Sequence, residues 1–122
     1  MIPDDVVQMK TYTGDNVGCG PQPVRVTVIR RLKGSDGAKP GWYELPVKPS
    51  LALYNHSPDG FQWGYQGSGC AQLALAILLD LTEDQDLSVR LHQEFKRHFI
   101  ATAGKHLMIT EPEIRDWLKV KS

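Results

Sequence analysis

The sequence predicts one α+β domain spanning residues 1–122, a small antiparallel β-sheet or hairpin in the N-terminal half packed against three C-terminal helices. Three observations predict it. Val24 to Lys33 alternates apolar and polar residues, the period-two pattern of a half-buried strand. Cys70 to Leu81 is apolar nearly all round, as a helix at the centre of a core must be. Capping signatures then open two more helices downstream. A chain of 122 residues has room for one such core.

Taken in order, residues 1–23 are rich in Gly, Pro, Asp and Asn and are expected to be mostly irregular. Residues 24–66 should be β-rich. In the first strand Val24, Val26, Val28 and Leu32 share one face and Arg25, Thr27 and Arg31 the other. A turn-rich loop follows from Lys33 to Gly41. Trp42–Leu45 and Leu51–Tyr54 suggest two short strands, with Pro46 and Pro49 keeping this stretch at a sheet edge. Ser57-Pro58-Asp59-Gly60 has the residues of a type I turn, and Phe61, Trp63 and Tyr65 alternate after it. Residues 51–65 therefore predict a β-hairpin with an aromatic inner face.

Residues 68–121 should be helical. Ser68 is the expected N-cap of the central helix. The second helix is expected at a capping box of Thr82 and Gln85, with Leu87, Leu91, Phe95 and Phe99 as its buried stripe and Gly104 as its stop. Thr110 and Glu113 form a second capping box, opening a helix that turns Ile114, Trp117 and Leu118 inward. Leu107 to Ile109 can add a short strand before it.

Composition removes several function classes. Fourteen basic residues balance fourteen acidic ones, so no global field attracts nucleic acid or an anionic membrane. The longest apolar run, Leu73 to Leu79, is far short of a membrane span, and Met1 to Asp5 do not read as a secretion signal. The cytoplasm is the expected location, with no membrane partner. Cys19 and Cys70 lie in no Cys-x-x-Cys pair and the four histidines show no ligand spacing, so neither a metal nor a cofactor is expected. Spacing alone leaves a disulfide between the two cysteines open.

The segment with most chemical character runs Trp63-Gly-Tyr-Gln-Gly-Ser-Gly-Cys-Ala-Gln-Leu-Ala74, a glycine-rich turn opening a buried helix. Free N–H groups at such a start, with Gly67, Ser68 and Gly69 allowing close approach, could cradle a phosphate or carboxylate. No Walker lysine follows, and the glycine spacing is not that of a dinucleotide fold. A tight turn explains the glycines equally. Together with Phe95-Lys96 and the Ile109-to-Leu118 ending, this segment resembles a small uncharacterised domain family of bacteria, phages and plasmids. The family's signature runs Gly-Tyr-x-Gly-Ser-Gly-Pro-x-Gln-Leu-Ala. The resemblance covers roughly residues 50–119 and implies a similar fold and a mobile-element setting, but no reaction. Cys70 stands where the family carries proline, which implies a structural position rather than a nucleophile.

Other residues invite chemistry and have bland explanations. Cys70 at a helix N-terminus would have a lowered thiol pKa, but a small residue filling the helix start is expected. Gln72, polar in an apolar helix, must meet backbone groups of the sheet or a ligand, because a buried amide left unpaired costs about 1–3 kcal/mol. Arg25, Arg30, Arg31 and Lys33, with Trp42, Tyr43 and Tyr54, could make a nucleic-acid surface; a solvated strand face is the alternative. Asp80, Glu83, Asp84 and Asp86 fit helix capping better than a cation site. Lys96, Arg97, His98, Lys105 and His106 complement the end of the second helix and could form an anion-binding rim.

No catalytic residue is specified, and an enzyme is not the preferred expectation. The leading expectation is a non-enzymatic binding protein acting on another protein, as an accessory factor of a mobile element such as a defence-system inhibitor. Two alternatives stand beside it: a small-anion or nucleotide site at Gly67, Ser68, Gly69, Cys70 and Gln72, and nucleic-acid binding through the basic strand at 25–33.

Overall fold

The computed structural model of the protein describes residues 6–18, 20–32 and 39–121. Four strands, β1 (Val6–Asp15), β2 (Arg25–Leu32), β3 (Lys39–Glu44) and β4 (His106–Thr110), form one antiparallel sheet in the order β3-β2-β1-β4. Three come from the N-terminal half, and β4 joins from between the last two helices. The helices are α1 (Lys48–Leu51), α2 (Ser68–Thr82), α3 (Gln85–Phe95) and α4 (Glu111–Lys121). A π-helical turn, Lys96–Ile100, prolongs α3.

The N-terminal segment corrects the expectation of irregular chain. β1 is the longest strand and occupies a central position, pairing with β2 from Val6↔Leu32 to Thr13↔Arg25 and with β4 from Thr11↔Thr110 to Asp15↔His106. The flanking glycines and prolines mask Lys10-Thr-Tyr-Thr13, whose β-branched and aromatic residues suit a pleated, half-buried surface. The predicted 24–33 strand and the Trp42 strand are present as β2 and β3.

The expected hairpin at 51–65 does not form. Leu51 ends a single helical turn rather than starting a strand, because Pro49 lies in its first turn and the Ser50 hydroxyl donates to the Val47 carbonyl at 2.8 Å. The turn at Pro58-Asp59 exists, but the chain after it has no ladder partner. Its extended backbone is pinned at separate points: Gln22 N–H donates to the Phe61 carbonyl and Gly64 N–H to the Ile100 carbonyl, both at 2.9 Å. Phe61 and Trp63 are buried there, while Tyr65 faces solvent.

α2 is the centre of the core, with every residue from Gly69 to Leu78 buried. Its first residue is Ser68, and the cap position belongs to Gly67 in an extended conformation without a side-chain bond. Thr82 is still inside α2, its hydroxyl donating to the Leu78 carbonyl at 2.7 Å. Asp84 therefore caps α3, its Oδ1 accepting from Leu87 N–H at 3.0 Å, in place of the expected Thr82–Gln85 box. Of the expected stripe of α3, Leu91 and Phe95 are buried and Leu87 partly so. The stripe then steps five residues to Ile100 through the π-turn, leaving Phe99 only partly buried. The Thr110–Glu113 box is present: Thr110 N–H donates to the Glu113 carboxylate at 3.1 Å and Glu113 N–H to the Thr110 hydroxyl at 3.5 Å.

Candidate functional site

The alternation of each strand divides the sheet into two unlike faces. Inward lie Tyr12 on β1, Val26 on β2, Tyr43 on β3, and Leu107 and Ile109 on β4, against the apolar side of α2. At one end of this inner face Asp80 receives three side chains of the sheet. Tyr12 donates its hydroxyl to Asp80 Oδ2 at 2.7 Å, Tyr43 donates to Oδ1 at 2.6 Å, and the Lys10 ammonium sits 3.1 Å from Oδ2. An acid so near a helix C-terminus opposes the helix dipole. Lys10 offsets that by also donating to the Asp80 main-chain carbonyl at 3.2 Å, one of the carbonyls a helix end leaves free. Burial first, and the Asp80 carboxylate second, push both tyrosine hydroxyls well above their ordinary pKa, so they remain protonated donors. Both carboxylate oxygens are bonded, and the cluster is a clamp between sheet and helix.

A second polar group joins α2, α3 and the segment after α1. Gln72 Oε1 accepts from His56 N–H at 2.8 Å and Ser57 N–H at 3.0 Å, and its Nε2 donates to the Ser50 hydroxyl at 2.8 Å and the Tyr54 carbonyl at 3.1 Å. Gln72 thus meets an irregular segment and not the sheet. Beside it the Nε2 atoms of His56 and His92 lie 2.9 Å apart, with Tyr54 stacked on His56. His92 Nδ1 faces the Val89 carbonyl at 2.6 Å and must be its donor, so His56 supplies the proton shared between the rings. Burial lowers the pKa of both rings, and His92 and Lys96 lower that of His56 further. No buried side-chain nitrogen or oxygen among the described residues lacks a partner, and none of their His, Cys, Asp and Glu side chains gather in threes to hold a metal.

The residues predicted for an anion cradle are in packed surroundings. A Cβ on Gly69 would lie 3.1 Å from Gln62 Cβ and 3.2 Å from Gln62 N, and Gln62 N–H donates to the Gly69 carbonyl at 3.2 Å. The Tyr65 ring covers Gly67. These contacts account for the glycines by close chain approach. Ser68 is exposed at the first helical position. Cys70 is a free, buried thiol whose pKa burial raises, against the opposing pull of the Tyr65 and Gly67 backbone and of Lys96. It is not activated as a helix N-terminus alone would suggest.

The basic strand is not one patch. Arg25 points outward and lies over the Trp42 ring, 4.1 Å from its centroid, whereas Arg30 is on the opposite face of β2 with its Nε donating to Gln8 Oε1 at 2.7 Å. The Arg31 side chain, Lys33 and Cys19 lie outside the described residues.

What sequence reading missed is the outer face of the sheet. Met9 is 40% exposed, Ile29 39%, Trp42 62% and Met108 59%, and they point away from the helices. The register places Met9 beside Ile29, Ile29 beside Pro40, and Trp42 beside Thr27 and Thr11 in turn. Among the described residues charges there are paired: Arg25 opposes Glu44, and His106 bonds Asp15 at 2.7 Å. Among the described residues no helix covers this face. The signal for it is the β-branched and aromatic run Thr11-Tyr-Thr13 in β1, which its glycine- and proline-rich flanks mask.

Residues 28–120 match a protein family described as a family of unknown function (DUF6166). No curated protein and no solved structure matches the chain.

Proposed function

The chain belongs to the DUF6166 family, whose function is unknown, and from its geometry we propose that it is a non-enzymatic binding protein that takes another protein on the outer face of its sheet. One observation carries this reading. A tryptophan, two methionines and an isoleucine stand exposed on one uncovered sheet face, and aromatic residues and methionine are the types enriched at protein interfaces. Met9, Ile29 and Pro40 lie side by side with Trp42 two residues along β3, while Met108 lies opposite Thr13 on the far edge strand; exposed apolar patches mark interaction surfaces. The balanced charges favour a protein surface over a polyanion, because phosphate binding needs unpaired cations. Arg25 and Arg30, on opposite faces, do not make a track for a nucleic-acid backbone. Among the described residues the Asp80 and Gln72 clusters are bonded internally, which supports a binding role over chemistry at either. An accessory factor of a mobile element, such as a defence-system inhibitor, would work through a face of this kind.

Affinity capture from producing cells, repeated with purified partner, tests the proposal. Trp42→Arg and Ile29→Asp should abolish retention of the partner while the thermal unfolding midpoint stays near that of the parent. Val120→Asp, on the exposed side of α4, should leave retention intact. A partner held equally by all three variants would overturn the proposal, and so would salt-sensitive retention of DNA or RNA in place of protein.

A further inference from the structure

A second site lies on the helical side of the molecule, apart from the sheet face and independent of it. Glu94, Arg97, His98, Trp117 and Lys121 line an open depression of about 360 Å³ between the π-turn and α4. Three features give it chemical character. The π-turn carries Arg97 and His98 together at the rim, and such turns inside helices recur at functional sites. The floor is aromatic: the His98 ring packs edge-on against Phe99 at 4.6 Å and lies 6.1 Å from Trp117. The charge is unbalanced. Lys121 pairs with Glu94 at 3.2 Å and lies over the Trp117 ring at 5.9 Å, but no described residue pairs with the Arg97 guanidinium. One free cation with a planar fork of donors, an imidazole N–H and a lysine already half-neutralised select an oxyanion over a cation or a neutral molecule. Of the expected anion rim only Arg97 and His98 are here, because His106 is bonded to Asp15 on the sheet.

We propose that this depression binds a small organic oxyanion of the phosphomonoester class, with the phosphate on Arg97 and His98 and a flat apolar body against the aromatic floor. A volume near 360 Å³ suits a mononucleotide-sized molecule. Adenosine monophosphate, adenosine and inorganic phosphate are the probes, titrated into the full chain while backbone amide and indole N–H resonances are followed by NMR. Adenosine monophosphate should shift the Trp117 indole and the 97–98 amides saturably, and more tightly than either fragment. Arg97→Gln, at an exposed position, should weaken it by about tenfold or more, whereas Lys119→Gln, whose ammonium pairs with Asp116 outside the depression, should not. Shifts that map instead to Gly67–Cys70, survive Arg97→Gln or appear equally with adenosine would overturn the proposal. Absence of saturable shifts with all three probes would also overturn it. None of these outcomes bears on partner capture by the sheet face.

Discussion

The two faces of the sheet come from the same four strands, yet one is saturated and the other bare. Inward, Tyr12 and Tyr43 end on Asp80, and Val26, Leu107 and Ile109 close against α2. Outward, at odd offsets along the same strands, Met9, Ile29, Trp42 and Met108 meet solvent. Since side chains alternate strictly, a single residue of register would exchange the two sets. The inner set therefore specifies the fold, and the outer set is free of that duty. Neighbours in sequence should then differ sharply in what a substitution does.

The largest effect should come from Val26→Asp, which places an unpaired carboxylate in the core and should cost about 4 kcal/mol or more, or abolish folding. Ile29→Asp, three residues on and facing outward, should change stability by no more than about 1 kcal/mol. Urea denaturation of the pair measures the contrast directly. Equal losses would mean that the outer face is covered in solution.

Next in size is the clamp. Asp80→Ala removes the carboxylate that accepts from two tyrosine hydroxyls and pairs with Lys10, leaving Lys10 only the residue-80 carbonyl and the Tyr43 hydroxyl, and should lower stability by roughly 2–3 kcal/mol. Tyr12→Phe and Tyr43→Phe should each cost only about 1 kcal/mol, because the carboxylate keeps its remaining donors. If Asp80→Ala cost no more than either, the clamp would be ornamental and the inner face held by apolar contact alone.

How much of this was legible in the sequence follows from how local each signal is. The central helix, the Thr110–Glu113 box and the β2 alternation are written within a few consecutive residues, and each appears where expected. β1 was hidden because its glycine- and proline-rich flanks dominate the window around it. The failed hairpin had correct turn residues at 57–60, but Phe61, Trp63 and Gly64 find their partners in Gln22, Lys105 and Ile100, far along the chain. The Asp80 clamp and the His56–His92 pair likewise join residues 36 to 70 positions apart. No spacing rule reaches that distance. The depression proposed to take an anion was half legible: helix-end charge pointed to Arg97 and His98, but only the π-turn and the docking of α4 bring Trp117 and Lys121 beside them.

A smaller effect should follow pH. His56 and His92 share one hydrogen bond as neutral rings, stacked by Tyr54 and overlooked by Lys96. Both have pKa values lowered in the folded protein, against about 6.5 in an unfolded chain. As pH falls below that ordinary value the unfolded chain takes up protons first. The stability contributed by the pair is therefore complete above about pH 6.5 and lost progressively on acidification. His56→Ala should cost about 1 kcal/mol near pH 8 and flatten the decline of the unfolding midpoint between neutral and mildly acidic pH. An unchanged decline in that variant would assign the acid sensitivity to other groups.

The smallest effect on stability, and the sharpest for function, should be Trp42→Ala. The ring is mostly exposed and its visible intramolecular contact is the Arg25 guanidinium, so removal should cost no more than about 0.5–1 kcal/mol, the range of an exposed cation–π contact. For a face selected only to fold, that is also the whole consequence. For a face that binds, an exposed tryptophan is the kind of residue whose truncation costs about 2 kcal/mol or more of affinity. The two readings therefore part on a ratio. Measured on one protein, Trp42→Ala should weaken partner binding by more than it lowers unfolding stability, while Val26→Ala, on the inner face, should do the reverse. A tryptophan whose loss is felt equally in both measurements, or in neither, would mean that the exposed side of the sheet is only surface.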